Sequence, residues 1–302
     1  MKRSVRHSIS GHKMTLESLS KSIKTTTDLR DIVSTMKALS SASILQYEKA
    51  GQSLENYMEN IKKAFHVLMI NQALQTPPKR VFKGSVAIVI GADNGLVGRF
   101  NKDVLSKAVD YLKETGISEK ETQFISVGKR IASLLENGSY QIKAKYASSN
   151  SIKTVSTIAQ SVISKMEQVL SEQPNARVFL FYHKRNGTSV QMEKVQIWPS
   201  SEESFKRLKA KKWATNNIPT FRMPAKKMKS FLMREYLTMV LFSAITMSLS
   251  AEHYTRMINM QNAEKNIDER LEEMNLIYQQ KRQEAITEEL IDIVSGAEAM
   301  KE

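Results

Sequence analysis

The last quarter of the sequence is the feature that most restricts how this chain can fold. Residues 226–295 form a run of about 70 residues that contains neither glycine nor proline. Apolar side chains recur there in steps of three and four, which places one stripe on a helix: Ile267, Leu271, Met274, Tyr278, Ala285, Ile286, Leu290 and Ile293. At 1.5 Å rise per residue the helix would be roughly 100 Å long. A helix of that length requires a partner helix or surrounding subunits to cover its stripe.

A second long helix is predicted near the N-terminus, over residues 12–75. This segment contains one glycine and no proline before Pro77 and Pro78, which end the helix because proline lacks an amide donor. One face keeps the same spacing: Leu16, Leu19, Ile23, Thr26, Leu29, Val33, Met36, Leu39 and Ile44. Because the two helices come from opposite ends of the chain, we expect them to pair as an antiparallel coiled coil.

The middle of the chain follows a different pattern, in which short strands alternate with helices. Residues 85–90 are continuously apolar and β-branched, which is typical of a strand buried on both faces. Further strands are predicted at 123–127, 140–146, 177–182 and 189–198, and helices at 101–114, 129–136 and 151–170. The alternation predicts an α/β domain with a mostly parallel sheet, in which the last strand lies at an edge.

These patterns divide the chain into three parts. We predict a long N-terminal helix over 1–76, an α/β domain with a polar connector over 77–224, and a long C-terminal helix over 225–302. Inside the domain, Asn101 is a candidate N-cap, because asparagine side chains accept hydrogen bonds from the first helical amides.

The chain is strongly basic, with a net charge of +14 and a pI near 9.7. This balance predicts an acidic partner, such as nucleic acid, anionic lipid or an acidic protein surface. Residues 206–213 form a basic run with one aromatic side chain, but no nucleic-acid-binding module surrounds them, which favours a protein partner. The sequence has no cysteine, so disulfides and thiolate metal sites are excluded.

Two stretches bear on secretion and membranes. Residues 1–7 are basic, but no apolar segment follows them, so no signal peptide is expected. Residues 236–251 are the least polar stretch. They include Thr and Ser and are fewer than the roughly 20 residues that a membrane span needs. We therefore expect a buried helix segment there.

The motifs tested for chemistry yield no catalytic set, cofactor site or metal site. The turn 91–98 lies between a strand and a helix, where phosphate-binding loops occur. Its spacing is wrong, however, because Asp93 stands where a dinucleotide fingerprint needs glycine, and Arg99 where a P-loop needs lysine. A tight turn is the favoured interpretation. The five histidines are scattered, with no pair at the spacing of metal ligands on a helix.

The C-terminal residues carry a specific resemblance to a known family. Residues 278–299 closely resemble the terminal signature of the gamma subunit of F-type ATP synthases, Tyr-Asn-x-x-Arg-Gln-x-x-Ile-Thr-x-Glu-Leu-x-Glu-Ile-Val-x-Gly-Ala. Residues 93–101 resemble the family's turn Asp-x-Gly-Leu-Cys-Gly-Gly-x-Asn, with Val97 in place of Cys and Arg99 in place of the second Gly. Agreement extends to both long helices, at Ile23, Ile32, Met36 and Lys37 and at Glu252, Arg256, Met257 and Met260.

This resemblance implies a fold and a function. The fold would be a long antiparallel coiled coil of the N- and C-terminal helices with an inserted Rossmann-like α/β domain. The protein would be a central rotary shaft that couples ion-driven rotation to ATP synthesis or hydrolysis, without a catalytic site or cofactor of its own. Its partners would be three alpha and three beta subunits, an epsilon subunit and a membrane c-ring, with no nucleic acid. It would lie peripherally on the cytoplasmic side of a bacterial inner membrane, attached only through the complex.

The resemblance also assigns roles to individual residues. Contacts with acidic loops of the beta subunits would come from Arg282, Gln283, Thr287 and Glu289 on the C-terminal helix and from Met36 and Lys37 on the N-terminal helix. The bearing at the top of the hexamer would contain Ile286, Leu290, Ile293 and Val294.

Two other classes of function are compatible with the residue patterns alone. One is a coiled-coil scaffold that binds an acidic or nucleic-acid partner, for which salt-sensitive DNA binding would be the mark. The other is a small nucleotide-binding α/β enzyme with helical arms, in which nucleotide would protect the turn 91–98.

Overall fold

The structure is a computed structural model of the chain. It describes residues 15–71, 82–149, 151–199 and 219–300, together with 210, 212, 213 and 215–217. Several predicted features lie outside the described residues: the basic N-terminal stretch, the helix-ending prolines, the boundary between 76 and 77, and most of the basic run 206–213.

The described part of the chain begins and ends with a long helix, and a mixed sheet with three shorter helices lies between them in the sequence. The helices are α1 (Leu16–Ile70), α2 (Phe100–Glu114), α3 (Lys129–Asn137), α4 (Ile152–Glu172) and α5 (Ala225–Ala299). The strands are β1 (Ser85–Ile90), β2 (Thr122–Val127), β3 (Gln141–Tyr146), β4 (Arg177–Asn186) and β5 (Ser189–Trp198). A short 3₁₀ turn, Glu119–Glu121, precedes β2. The element order matches the predicted alternation, and α1 and α5 are the two long helices that the sequence predicts.

The sheet has the strand order β3-β2-β1-β4-β5. β1 pairs in parallel with β2 and β4, β2 pairs in parallel with β3, and β5 runs antiparallel to β4 at the edge. All six residues of β1 are buried, because helices cover both of its faces. The predicted mostly parallel sheet with an edge strand at 189–198 is therefore confirmed.

The strand β4 is longer than predicted. Its polar end, which includes His183, Lys184 and Arg185, continues the ladder as far as the pair Asn186 and Ser189. The antiparallel hairpin with β5 supplies the hydrogen bonds for these residues, and Gly187, at φ +61°, forms the turn. The predicted end of this strand at residue 182 was therefore wrong, because the apolar run stops there while the ladder with β5 continues.

Residues 39–259 form one compact unit. On one face of the sheet, α2 and α3 bury a cluster that includes Val104, Leu112 and Leu135. On the other face, α4 packs beside parts of the two long helices, which contribute Tyr47 and Leu241 to the core. The sheet therefore forms the middle layer between two layers of helices.

The predicted N-cap of α2 is wrong. Arg99 occupies the cap position and makes no side-chain capping bond, while Asn101 lies in the first turn. The Asn101 side chain is buried and accepts a hydrogen bond from the backbone amide of Ala92 at 2.8 Å. The asparagine therefore holds the preceding turn rather than the helix end. Ser151, by contrast, caps α4 by accepting a bond from the amide of Lys153.

The apolar stretch of α5 packs inside the protein. By length and composition, α5 is long and apolar enough to cross a membrane. However, 56% of its most apolar 18 residues are buried within the protein. Leu237, Leu241, Ile245 and Leu249 belong to the core that covers the sheet. Their packing agrees with the predicted buried helix segment.

The second compact unit contains the start of α1, up to Ala38, and α5 from Met260 onward. Arg30 Nε lies 2.5 Å from Asp268 Oδ1, and Lys37 pairs with Glu264. The residue number rises on α1 as it falls on α5, so the two segments run antiparallel. Apolar side chains from both helices are buried here: Leu19, Val33, Met260 and Met274.

Candidate functional site: the β1–α2 turn and the end of the last helix

The turn 91–98 follows the carboxyl end of β1, where the order in which strands are added to the sheet reverses. β1 and β4 are neighbours in the sheet, and the chain leads from β1 to β2 on one side but from β4 to β5 on the other. In open α/β sheets, ligands bind outside the carboxyl ends of strands at such a point. The turn is therefore where a nucleotide site would be found in this fold.

A carboxylate of the turn accepts hydrogen bonds from the start of a neighbouring helix. Asp93 Oδ1 accepts hydrogen bonds from the backbone amides of Lys129, at 2.8 Å, and Ser148, at 2.7 Å. Lys129 is the first residue of α3, and exposed amides at a helix N-terminus bind anions. Asp93 therefore anchors the turn 91–98 to the start of α3 and to the segment that follows β3.

The helix α5 packs against the turn 91–98. Ala92, Val97 and Phe100 form a small apolar cluster with Ala251 of α5. The Asn259 side chain donates a hydrogen bond to the carbonyl of Leu96 at 3.0 Å. Leu96 has a φ of +65°, which is costly for a leucine, so this bond helps to hold the turn in its conformation.

We expect Asp93→Ala to lower the free energy of unfolding by about 1–3 kcal/mol, because two backbone amides lose their acceptor. Asp93→Asn is the matched control. Its amide oxygen can replace Oδ1 and accept both bonds, so it should cost less than half as much. Urea unfolding measures both variants. Equal losses for the alanine and asparagine variants would contradict the role of this oxygen.

A buried ion pair lies on α5 beside the turn. Arg256 Nη2 lies 2.6 Å from Glu252 Oε1, and their side chains are only 8% and 7% exposed. Burial raises the pKa of Glu252, while the charge and hydrogen bond of Arg256 oppose that rise. The two residues are four apart on the helix, so their spacing allows the contact.

One buried histidine, His183, and one half-buried histidine, His253, belong to the same unit. The His183 ring stacks on Phe100 with centroids 4.0 Å apart, and the His253 ring stacks on Tyr47 at 5.6 Å. Burial lowers the pKa of each to about 4, and the charge of Arg256 adds to the effect at His253. Both rings are therefore neutral near pH 7 and take part in packing.

The predicted contact residues near the C-terminus lie on an exposed part of α5. Arg282, Gln283, Thr287 and Glu289 all face solvent, and the Thr287 hydroxyl donates to the carbonyl of Gln283 at 2.9 Å. The predicted bearing residues are exposed as well: Ile286 by 48%, Leu290 by 57%, Ile293 by 68% and Val294 by 56%. Large apolar side chains grouped in solvent mark an interaction surface.

The predicted contacts on α1 have a different environment. Lys37 Nζ is paired with Glu264 of α5, and Met36 beside it is half-buried. The hydrogen bond from Lys37 lowers the pKa of Glu264. The Lys37 side chain is 35% exposed, so part of it remains accessible.

Among the residues that the structure describes, no group of three or more His, Asp or Glu side chains is arranged to hold a metal ion.

The comparison with known families decides the identity. Residues 15–300 match the family model described as ATP synthase. The chain belongs to the ATP synthase family. The match covers both long helices and the sheet between them, so the family accounts for the whole described architecture.

The curated relatives of this ATP synthase chain are gamma chains. The ATP synthase gamma chain of Sulfurihydrogenibium sp. is 27% identical over 274 residues, covering 89% of this chain and 93% of its own. That of Geobacter metallireducens is 26% identical over 299 residues, covering 95% and 99%. These relatives identify the chain as a non-catalytic gamma subunit, and the scaffold alternative is not supported.

Solved structures of ATP synthases share the fold. A chain in the rotor of the Euglena gracilis mitochondrial ATP synthase matches with a TM-score of 0.61 at 16% identity, covering 90% of this chain and 98% of its own. A chain in the central stalk and c-ring structure of Tetrahymena thermophila matches with a TM-score of 0.52 at 17% identity, covering 77% and 99%.

Sequence reasoning picked out Glu252 and Arg256 of this chain but did not predict that they pair with each other or that they are buried. Glu252 and Arg256 entered only as matches to the family, yet they form a buried ion pair. Their spacing of four was a signal for the pair, although spacing cannot report burial. His183 gave no signal, because it lies on the polar end of a strand that the apolar pattern did not include.

Proposed function

We propose that this gamma subunit is the rotating central shaft that couples ion-driven rotation to ATP synthesis or hydrolysis. The catalytic chemistry belongs to a hexamer of three alpha and three beta subunits that surrounds it. The observation that carries this proposal is the family match over residues 15–300, together with the uncovered apolar side chains at the end of α5. Those side chains need a surrounding surface, and a hexamer provides one.

The two long helices form an antiparallel coiled coil in this proposal. The pairs Arg30–Asp268 and Lys37–Glu264 support that direction, and the buried Leu19 and Val33 supply an apolar seam. Extending the register of the first pair brings Leu16 opposite about residue 282, so α5 continues beyond the first residue of α1. The parts 1–76, 77–224 and 225–302 then act as the first helix, the Rossmann-like domain with its connector, and the second helix.

Asymmetry is the physical basis of the coupling. One rod without symmetry, inside a ring of three similar pairs, must contact each beta subunit differently. Different contacts bias the conformation of each nucleotide site by a different amount, and about 1.4 kcal/mol changes an affinity tenfold. Rotation then passes these affinities from one site to the next.

The exposed residues of α5 supply the specific contacts in this proposal. Arg282 can bind a carboxylate of an acidic beta loop through two parallel hydrogen bonds, and Gln283, Thr287 and Glu289 lie beside it. On α1, Met36 and Lys37 face a second acidic loop. Because Lys37 is already paired with Glu264, that loop must share its ammonium group or compete for it.

The remaining apolar side chains form the bearing. Ile286, Leu290, Ile293 and Val294 have no polar atom beyond the backbone, so they make no directional bond that rotation would have to break. Their exposure in the single chain supports this role.

The other partners and the location belong to the same proposal. The α/β domain contacts an epsilon subunit and a membrane c-ring, and the complex attaches the chain peripherally to the cytoplasmic side of a bacterial inner membrane. Bacterial gamma chains among the relatives and the net charge of +14, which suits acidic partner surfaces, support this placement.

We expect Arg282→Ala combined with Gln283→Ala to lower coupled ATP turnover of the assembled complex by roughly threefold to tenfold, because charge-assisted contacts are lost. The two side chains are exposed in the single chain, so its unfolding free energy should change by less than about 0.5 kcal/mol. Turnover of the reconstituted complex and urea unfolding of the subunit measure the two effects.

The matched control is Lys153→Ala with Gln160→Ala. This pair also removes one cation and one amide from an exposed helix surface, but on α4. It should leave turnover unchanged. Normal turnover in the Arg282 and Gln283 variant, or an equal loss in the control, would count against the proposed contacts.

A further inference from the structure

A polar cleft lies at the amino ends of the parallel strands, away from the turn 91–98. It has a volume of about 760 Å³, within the range of small-molecule sites. Its walls are the segments that lead into the strands: 82–84 before β1, 116–121 before β2, and 173–177 before β4. The residues proposed for the beta-subunit contacts and for the bearing lie on α1 and α5, outside the walls of this cleft.

The walls of the cleft are held in place by the chain itself. The amide of Lys83 donates to the carbonyl of Asn175 at 3.0 Å, and the Gln141 side chain donates to the carbonyl of Lys120 at 2.9 Å. The amide of Arg177 donates to the carbonyl of Gly84 at 3.3 Å. A preformed cleft lowers the entropy that a ligand must lose on binding.

The charge of the cleft favours an anion. Lys83, Lys120 and Arg177 line it, against one acid, Glu121. Within the described part of the chain, none of these three cations forms an ion pair, whereas the nearby Lys113 lies 3.5 Å from Glu119. Three cations in one cleft repel each other, so an anion bound between them would be stabilised.

Three buried polar atoms at the cleft have no hydrogen-bond partner among the described residues. They are the side-chain oxygens of Gln123 and Gln173 and the Nε of Arg177. Gln123 is only 6% exposed, so its oxygen cannot be satisfied by bulk water. A buried polar atom without a partner costs about 1–3 kcal/mol, which a suitable ligand would recover.

We propose that this cleft binds a small phosphorylated molecule that also carries hydroxyl groups, such as a sugar phosphate or the corresponding part of a nucleotide. The phosphate accepts from Lys83, Lys120 and Arg177. The hydroxyls donate to Gln123 and Gln173, and they fit either orientation of the glutamine amides, because a hydroxyl both donates and accepts. The site lies outside the proposed beta-subunit contacts and the bearing, so it offers the subunit a separate means of sensing a metabolite.

Isothermal titration of the full chain with ribose 5-phosphate, inorganic phosphate and ribose tests this site. We expect ribose 5-phosphate to bind about tenfold more tightly than inorganic phosphate, because its hydroxyls also reach the glutamine oxygens. Ribose alone should show no measurable binding. Absence of ribose 5-phosphate binding at millimolar concentration, or equal affinity for inorganic phosphate, would overturn the proposal.

Two sets of variants locate the binding. Lys83→Gln with Lys120→Gln should weaken ribose 5-phosphate binding by about tenfold or more. The matched control is Lys102→Gln with Lys153→Gln, which makes an equal charge change on exposed helix surfaces. This control should leave ribose 5-phosphate binding unchanged. Gln123→Leu should reduce the affinity for ribose 5-phosphate to that for inorganic phosphate. Equal weakening by the two lysine pairs would show only general charge attraction and would overturn the site. Because no step uses the assembled complex, failure here leaves the rotary role untouched.

Discussion

Arg256→Met lowers the free energy of unfolding by about 3–5 kcal/mol, because it leaves a buried carboxylate without its cation. Methionine keeps most of the volume of the arginine side chain, so the change removes a charge rather than packing. Glu252 then remains buried and loses the cation with which it is paired. Such a loss is a large part of the stability of an ordinary domain, so it should appear clearly in the urea midpoint.

The pH dependence of the stability of Arg256→Met provides a second test of whether the unpaired Glu252 carboxylate causes the loss. Burial already raises the pKa of Glu252, and losing Arg256 removes the main influence that opposes the rise. A carboxyl whose pKa is higher in the folded state binds its proton more readily when folded, so it destabilises the fold as pH increases. The variant should therefore recover part of its stability as pH is lowered toward the raised pKa.

Two controls separate the buried pair from a general effect of charge. Arg270→Met breaks a pair with Glu273 in which both side chains are about half exposed, so it should cost less than about 1 kcal/mol. Arg256→Met combined with Glu252→Gln removes both charges and should recover most of the loss. A double variant as unstable as Arg256→Met alone would contradict the account, because the arginine would then act through packing.

The second large effect is a loss of stability in mild acid that depends on His183. The unfolded chain protonates this histidine near pH 6.5, whereas burial in the folded protein lowers its pKa to about 4. Between these values the unfolded state binds more protons, so the free energy of unfolding falls as pH falls. The slope is up to about 1.4 kcal/mol per pH unit, and the loss from His183 alone reaches about 3 kcal/mol at pH 4.

Urea unfolding of wild type and His183→Gln at about pH 7 and about pH 4.5 measures this effect. The glutamine variant loses the stacking on Phe100, so it should be less stable near neutrality, but the gap should close as pH falls. Asp103 and Lys107 of α2 influence the pKa in opposite directions, and burial outweighs both. A gap between the two proteins that stays constant with pH would contradict a neutral buried His183.

His253 provides an independent test of the same effect. Burial and Arg256 lower its pKa to about 4 as well, and its ring contacts Tyr47 instead of Phe100. Its contribution should therefore add to that of His183, because the two rings stack on different aromatic side chains. His183→Gln with His253→Gln should flatten the pH dependence further than either substitution alone.

Local pattern was enough to predict most of the fold. Residues 86–90 were predicted to form a buried strand, since a short apolar run rich in β-branched residues is typical of a strand with two covered faces. The long stretch 226–295 had to be helical, because nothing in it breaks the backbone hydrogen-bonding pattern. The ends of elements were less predictable. The end of β4 depends on its partner strand, and the role of Asn101 depends on a turn that precedes its own helix.

Some features of the candidate sites follow from consecutive residues, and others depend on the tertiary structure. The amino-acid order alone determined that the turn 91–98 lacks a phosphate-binding spacing, and that the C-terminal stretch carries the gamma-subunit signature, since both are properties of consecutive residues. Only the tertiary structure decided that Asp93 occupies the start of α3, that Glu252 and Arg256 are paired out of water, and that Lys37 is bound to Glu264. Burial and long-range pairing depend on which surfaces meet after folding, and no local spacing contains that information.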